Sequence, residues 1–91
     1  MQEIRFRRYL EELENPKLTD KAIKSRISKG NKVERIIGMS LDKIVSDDNL
    51  MYDSLIKLKP YDISGNLQNS PRKYYIFINE KEFPRLNLYK R

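Results

Sequence analysis

The sequence contains no cysteine and no histidine among its 91 residues, and it has no tryptophan. Without cysteine the chain forms no disulfide and offers no thiolate, which fits a reducing compartment and predicts a cytoplasmic protein. Because imidazole is missing as well, zinc sites that need thiolate or imidazole ligands are excluded, and so are histidine-based catalytic triads. No apolar run approaches the length of a membrane-spanning helix, and the N-terminus lacks the apolar stretch of a signal peptide. We therefore expect no membrane partner.

Motifs that assemble catalytic groups are also missing. The sequence holds no glycine-rich phosphate loop, no calcium-binding loop and no spacing of paired carboxylates. Asp47 and Asp48 are adjacent, so their side chains diverge on a helix, and a role at a helix start accounts for both. We therefore expect a protein without enzymatic activity, without a cofactor or metal, and without a small-molecule substrate.

Apolar residues recur at the spacing of amphipathic helices in the first half of the chain. A helix over residues 3–14 is predicted by apolar side chains at i, i+4 and i+7, namely Phe6, Leu10 and Leu13. Thr19 is a suitable N-cap for the next helix. Gly30-Asn31 then interrupts the pattern with a pair typical of helix ends and tight turns. Residues 20–37 therefore form either one helix or two.

Two further helix starts are predicted from capping residues. Ser46 is the expected N-cap of one helix, and Ser70 is the expected N-cap of a late helix with Pro71 at its first position. Tyr74 and Tyr75 are neighbours in this late helix, so we expect one to pack in the core and the other to lie at its rim.

The patterns together predict an all-α fold, a small bundle of four to five short helices. Residues 1–80 are the expected single helical domain, residues 61–66 its clearest loop, and residues 81–91 a C-terminal tail or linker. A chain of this length buries only about 60–65% of its unfolded surface, so a small bundle is near the limit of what it supports.

Positive charge is concentrated in two segments. The chain carries 19 Lys and Arg against 13 Asp and Glu, a net charge of +6. Residues 16–37 alone contribute +5 and residues 61–91 contribute +3, whereas the segments 1–15 and 38–60 each have a net charge of −1. Such asymmetry favours an oriented binding face over a uniform solubilising coat.

Long cations and short hydroxyls in these two segments are the candidate nucleic-acid contacts. Both kinds of side chain hydrogen-bond to the oxygens of a phosphate backbone, and an Arg-Lys pair at the start of the late helix would suit an anion. The alternative is a solvated helix face whose lysines only keep the protein soluble. The predicted nucleic-acid-binding residues are Lys21, Lys24, Ser25, Arg26, Ser28, Lys29, Lys32, Arg72 and Lys73.

Three stretches carry a family pattern: FRRYL at 6–10, LTDKAIKSR at 18–26 and NSPRKYYIF at 69–77. Over residues 6–79 the chain resembles the N-terminal core-binding, or SAM-like, domain of tyrosine recombinases (phage integrases). The resemblance implies a four-helix bundle that clamps DNA through backbone contacts, with the two basic segments on neighbouring helices forming one face. Ala22 and Arg26 depart from the threonine and aromatic residue usual in the family. The catalytic domain is missing, so the resemblance implies binding without cutting or joining.

Two functions of different classes follow. The first is binding of double-stranded DNA, largely independent of sequence, as part of a recombinase-like or mobile-element protein. The second is a protein-interaction module, such as a phage- or element-encoded regulator or inhibitor of the anti-restriction or anti-CRISPR type, which docks on a nucleic-acid-processing complex. Its expected interface is the tail that bears Phe83, Leu86, Leu88 and Tyr89. A third alternative is a domain excised from a longer chain whose chemistry lies elsewhere.

Overall fold

Residues 1–13, 18–62 and 66–90 are described by the computed structural model, and within them the chain is all-helical. The helices are α1 (Glu3–Glu12), α2 (Asp20–Ile37), α3 (Leu41–Val45), α4 (Asp48–Leu58) and α5 (Asn66–Asn79), with a 3-10 turn at Lys59–Tyr61. The predicted all-α bundle of four to five helices is confirmed. In these ranges no helix combines the length and the apolar character needed to cross a membrane.

The predicted boundaries of the first helix and of the loop are only partly covered. The helix predicted over residues 3–14 is present as Glu3–Glu12, and residue 14 lies outside the described residues. In the predicted loop 61–66, residues 63–65 lie outside them as well, while residue 61 ends the 3-10 turn and residue 66 already begins α5.

Residues 20–37 form one continuous helix, α2. The Thr19 hydroxyl accepts a hydrogen bond from the Ala22 amide at 3.1 Å, so the predicted N-cap is confirmed. The helix ends at Gly38, whose φ of 81° lies in the left-handed region that glycine tolerates, and whose N–H donates to the Glu34 carbonyl. Gly30 lies in the middle of the helix and is buried, so its role is one of packing.

Helices α2 and α5 cross closely at Gly30 and Ser70. A Cβ at Gly30 would lie 3.0 Å from Ser70 Oγ and 3.3 Å from Leu41 Cδ1. The Ser70 hydroxyl donates a hydrogen bond to the Arg26 carbonyl at 2.8 Å. Even an alanine Cβ at this position would therefore require the facing Ser70 and Leu41 side chains to shift by a few tenths of an ångström. This crossing places α5 in contact with α1, α2, α3 and α4.

Helix α5 begins earlier than predicted, so Ser70 is not its N-cap. The helix starts at Asn66, and the Asp62 carboxylate accepts hydrogen bonds at 2.9 Å from two backbone amides of the first turn, those of Leu67 and Gln68. A carboxylate at this position satisfies free amides and interacts favourably with the helix dipole. Ser70 and Pro71 are buried inside the helix. The exposed helix start on which the predicted anion site depended is therefore not there.

Helix α4 begins one residue later than predicted. Its N-cap is Asp47, whose carboxylate accepts hydrogen bonds from the amides of Asn49 and Leu50 at 2.7 and 3.2 Å. Ser46 instead follows α3, where its hydroxyl donates to the Lys43 carbonyl at 2.6 Å. An acidic side chain at this position interacts favourably with the helix dipole, and the Ser46 hydroxyl is held at the end of α3.

Both tyrosines of α5 are buried, so the expectation that one lies at the rim is wrong. Tyr74 is 0% exposed and Tyr75 is 1% exposed. The Tyr74 ring meets Phe6 of α1 edge-on, with centroids 4.9 Å apart, and the Tyr75 ring meets Phe83 of the tail at 5.3 Å. Each tyrosine hydroxyl donates to a carboxylate, which satisfies it on burial. α5 is thus covered on two sides, by α1 and by the tail.

A polar junction joins the N-terminus to α2, α3 and α5. The amino group of Met1 lies 2.8 Å from Glu34 Oε2 and 3.2 Å from Asp42 Oδ2. The Tyr74 hydroxyl donates to Asp42 and accepts from the Gln2 amide at 2.8 Å. Burial opposes the charge of Asp42, but hydrogen bonds from Tyr74, Gln2 and the Met1 ammonium outweigh it and lower the pKa of Asp42.

Gly30→Ala should destabilise the fold, although alanine is the better helix former. The added Cβ would lie 3.0 Å from Ser70 Oγ, and we expect a loss of roughly 1–2 kcal/mol in the free energy of unfolding, measured in urea. Ser70→Ala removes the oxygen that the added Cβ would meet. The loss in free energy of unfolding should therefore be smaller in the double variant than the sum of the losses in the two single variants. Strictly additive losses would contradict the close crossing.

Acid should weaken the fold as Asp42 takes up a proton. Its pKa is lowered in the folded chain, so the unfolded chain binds that proton more readily. The stabilisation is present at neutral pH and is lost as the pH falls below about 4. We expect Asp42→Asn to unfold more easily than the parent at pH 7, with the difference shrinking towards pH 2 in thermal unfolding. A difference that stays constant over this range would refute the role of this carboxylate.

Candidate nucleic-acid interface

Five polar side chains form a row along the solvent side of α2, which we call the outer stripe. They follow one another at intervals of three or four residues and are all exposed: Lys21, Lys24, Ser28, Lys32 and Arg35. At 1.5 Å per residue, the row from Lys21 to Arg35 is about 21 Å long. The opposite side of α2 is buried in the core. Burial of that apolar side therefore fixes the direction in which the cations point.

The cations of α2 have no carboxylate within ion-pair distance in the described parts of the chain. The ion pairs found there both belong to the amino group of Met1, which lies beside Glu34 and Asp42. Glu34 is further engaged by the Leu41 amide, which donates to its carboxylate at 2.7 Å. Within the described ranges, no carboxylate therefore neutralises the cations of the outer stripe.

Next to the outer stripe, a cleft of about 170 Å³ opens between α2 and α5, which we call the α2–α5 cleft. Its lining residues are Ala22, Ser25, Arg26 and Lys29 of α2 together with Asn66, Asn69 and Ser70 of α5. Among the described residues that line it there is neither an acidic nor an aromatic side chain. The Ser70 hydroxyl is already used in its bond to the Arg26 carbonyl. Two cations and three neutral polar side chains are thus left facing the cleft.

The nine predicted contact residues lie in three places. Lys21, Lys24, Ser28 and Lys32 belong to the outer stripe, Ser25, Arg26 and Lys29 line the α2–α5 cleft, and Arg72 and Lys73 are on α5. Lys73 is half-buried and follows Asn69 by four residues, which puts it on the same side of α5 one turn beyond the cleft.

Arg72 is turned towards the tail and away from α2. Its Nη1 donates to the carbonyls of Phe83 and Pro84 at 3.1 and 3.4 Å, and the guanidinium lies 5.9 Å above the centroid of the Phe83 ring. Burial lowers the pKa of Arg72, against the attraction of Glu82, which raises it. Arg72 holds the tail on α5 and contributes no charge to the cleft.

The two positive segments meet in space, but they do not combine their charges as expected. α5 is a direct neighbour of α2. The part of α5 that faces the cleft contributes Asn66, Asn69 and Ser70, so the cations at the cleft come from α2. The lining of the cleft therefore combines the cations of one basic helix with neutral donors of the other, and Lys73 lies one turn beyond it.

Sequence reasoning missed three residues of this surface: Arg35, Asn66 and Asn69. Arg35 follows Lys32 by three residues, and that spacing identifies it once α2 is known to continue past Gly30. The predicted helix start at Ser70 placed Asn66 in a loop and Asn69 just before the helix, so neither side chain was expected to face α2.

Acidic side chains do not gather into a metal site in the ranges 1–13, 18–62 and 66–90, where no group of three could hold an ion. Glu34 and Asp42 do approach one another, but the Met1 amino group lies between them. We assign no metal ligand within these ranges.

Comparisons with known proteins identify no relative. No protein-family model, no curated protein and no solved structure matches this chain. The resemblance of residues 6–79 to the core-binding domain of tyrosine recombinases stays a prediction, carried by the three stretches quoted for it.

Arg72→Ala should destabilise the fold and leave nucleic-acid affinity unchanged. The substitution removes a charged donor to the carbonyls of Phe83 and Pro84, and we expect a loss of about 1–2 kcal/mol in the free energy of unfolding. Urea denaturation and a duplex titration of the folded variant are the measurements. Unchanged stability together with weakened duplex binding would show instead that Arg72 contacts the nucleic acid.

Proposed function

We propose that this chain is a non-catalytic DNA-binding domain that contacts the phosphate backbone of a duplex through the outer stripe. The observation that carries the proposal is a row of exposed cations on α2 that lack carboxylate partners in the described ranges. Lysine, arginine and serine side chains are the groups that most often contact phosphate oxygens in protein–DNA complexes. Such contacts carry no sequence information, so the proposed binding is largely independent of base sequence.

The dimensions of α2 suit a duplex. A row of about 21 Å matches the rise of about six base pairs, at 3.4 Å for each pair. The outer stripe supplies four cations. Arg26 and Lys29 lie beside it on the same helix, where they line the α2–α5 cleft. Four to six phosphate contacts are therefore within reach of this one helix.

The two buried tyrosines of α5 are unsuited to act as nucleophiles. Burial, together with a hydrogen bond to Asp48, raises the pKa of Tyr75 to about 12. Burial also raises the pKa of Tyr74, with a further contribution from its hydrogen bond to Asp42. Phenols of this kind stay protonated at neutral pH and face into the core, so neither is proposed as a nucleophile. A recombinase-like or mobile-element protein is the proposed source, because the three stretches of the sequence resemble that family.

The competing proposal, a protein-interaction module that docks through its tail, has less support. Phe83 is 4% exposed, and the Tyr89 ring packs against Tyr52 and Phe83 with centroids 5.2 and 5.1 Å apart. The Tyr89 hydroxyl also donates to Asn49 at 2.8 Å. These aromatic groups serve the fold, so removing the tail would disturb the protein itself as well as any interface.

Salt dependence of duplex affinity tests the proposed function. If four to six cations contact phosphates, log K for a 20–30 base-pair duplex should fall with log salt at a slope of about −4 to −5. Replacing Lys21, Lys24 and Lys32 with alanine should reduce that slope by about 2.5–3 and weaken duplexes of different sequence about equally. Alanine preserves helix propensity, so α2 should remain folded.

A matched control removes the same charge from other elements. Lys43, Lys57 and Lys59 are exposed on α3, α4 and the 3-10 turn, and the triple alanine variant should retain nearly the whole salt slope. Equal losses in both triple variants would mean that net charge alone attracts DNA. Binding that is absent at low salt, or that does not respond to salt, would exclude the proposed function.

A further inference from the structure

We infer that the α2–α5 cleft is a separate site for a terminal phosphate group, a phosphate monoester, and that the protein prefers nucleic-acid ends that carry one. The inference rests on the proposed function, because the phosphate is taken to belong to the end of a bound DNA. The cleft and the outer stripe are different surfaces of α2, so the two can be tested apart.

The charge of the cleft suits a dianion. Arg26 and Lys29 line it, and the described lining residues include no carboxylate to neutralise them. A terminal phosphate monoester carries a charge of about −1.5 to −2 at neutral pH, whereas a phosphodiester within a strand carries −1. Two cations in one cleft therefore favour the terminal group over the backbone.

Neutral donors complete the surroundings of such a group. Ser25, Asn66 and Asn69 line the cleft, and none of their side chains makes a hydrogen bond to another described residue. The planar guanidinium of Arg26 can donate two parallel hydrogen bonds to one phosphate. A monoester has three terminal oxygens that accept hydrogen bonds, more than a bridging phosphate offers.

The composition of the cleft disfavours a nucleobase. Bases are held by stacking on aromatic side chains, and none of the described lining residues is aromatic. The cleft has a volume of about 170 Å³. A phosphate group with its ester oxygen can take that place.

The site consists of side chains on a rigid frame and does not depend on the N-terminus of α5. The first-turn amides of Leu67 and Gln68 already donate to Asp62. The frame is fixed by the Ser70–Arg26 hydrogen bond and by the close approach of Ser70 to Gly30. Because the two helices are already held together, binding requires ordering of the lining side chains but no movement of the helices.

End-labelled duplexes test the inference. A 20 base-pair duplex with 5′-phosphates and the same duplex with 5′-hydroxyls are titrated by fluorescence anisotropy, and we expect the parent to bind the phosphorylated one about tenfold more tightly. Arg26→Gln with Lys29→Gln should abolish the preference. The matched control, Lys21→Gln with Lys24→Gln, should weaken both duplexes and keep the preference. Glutamine is a good helix former, so both pairs should fold.

A second variant tests the cleft without removing a cation. Asn69 is exposed at the cleft, and Asn69→Asp should abolish the preference because its carboxylate repels phosphate. Equal affinity of the parent for the two duplexes, or a preference that survives in the Arg26, Lys29 variant, would overturn the inference and leave the proposed function standing.

Inorganic phosphate separates the two proposals if no duplex binds at all. In that case the proposed function fails, and the amide signals of Ser25, Lys29 and Asn69 are followed by NMR during a phosphate titration. Saturable shifts in the parent that vanish in the Arg26, Lys29 variant would support a phosphate site for a small phosphorylated molecule. Their absence from the parent would overturn the cleft as well.

Discussion

The close crossing of α2 and α5 at Gly30 and Ser70 is the contact on which the rest of the structure depends. Because Gly30 has no side chain, the Ser70 hydroxyl reaches the Arg26 carbonyl at 2.8 Å. The crossing brings α5 against the other helices, and so Tyr74 and Tyr75 are buried on its two sides. The same helix buries its apolar side in the core and leaves its basic side exposed. The crossing thus joins the core to the helix that carries the exposed charge.

The fold was predictable where local chemistry decides it. Thr19 caps α2 as predicted because its hydroxyl accepts from the Ala22 amide, a contact that lies wholly within the first turn. Gly30 was ambiguous, because a glycine that ends a helix and a glycine that permits a close crossing look the same in a sequence. Ser70 was assigned to a helix start because a serine that caps a helix and a serine that bonds to a neighbouring helix look the same in a sequence. Its bond to Arg26 spans 44 residues, and no local pattern reveals such a contact.

The candidate site was predictable only on α2. Helical spacing placed Lys21 and its neighbours on a solvent side, and the structure adds Arg35 by extending the helix. Arg72 could not be placed from sequence, because its partners are tail carbonyls that only the tertiary fold brings to it. Asn69 lines the cleft through the same fold. The distribution of charge along the chain thus indicated that α2 carries the basic surface. The position of the neutral donors beside it is set by the packing of α5 on α2, which the sequence does not reveal.

The claim that the outer stripe of α2 holds a duplex is tested most directly by NMR mapping. A ¹⁵N-labelled sample is titrated with a short duplex of arbitrary sequence, and the backbone amide shifts are followed residue by residue. The account predicts that the largest shifts fall on Lys21, Lys24, Ser28, Lys32 and Arg35, while α4 is nearly unchanged. Shifts centred on α4 or on the tail, or no shifts at low salt, would contradict it.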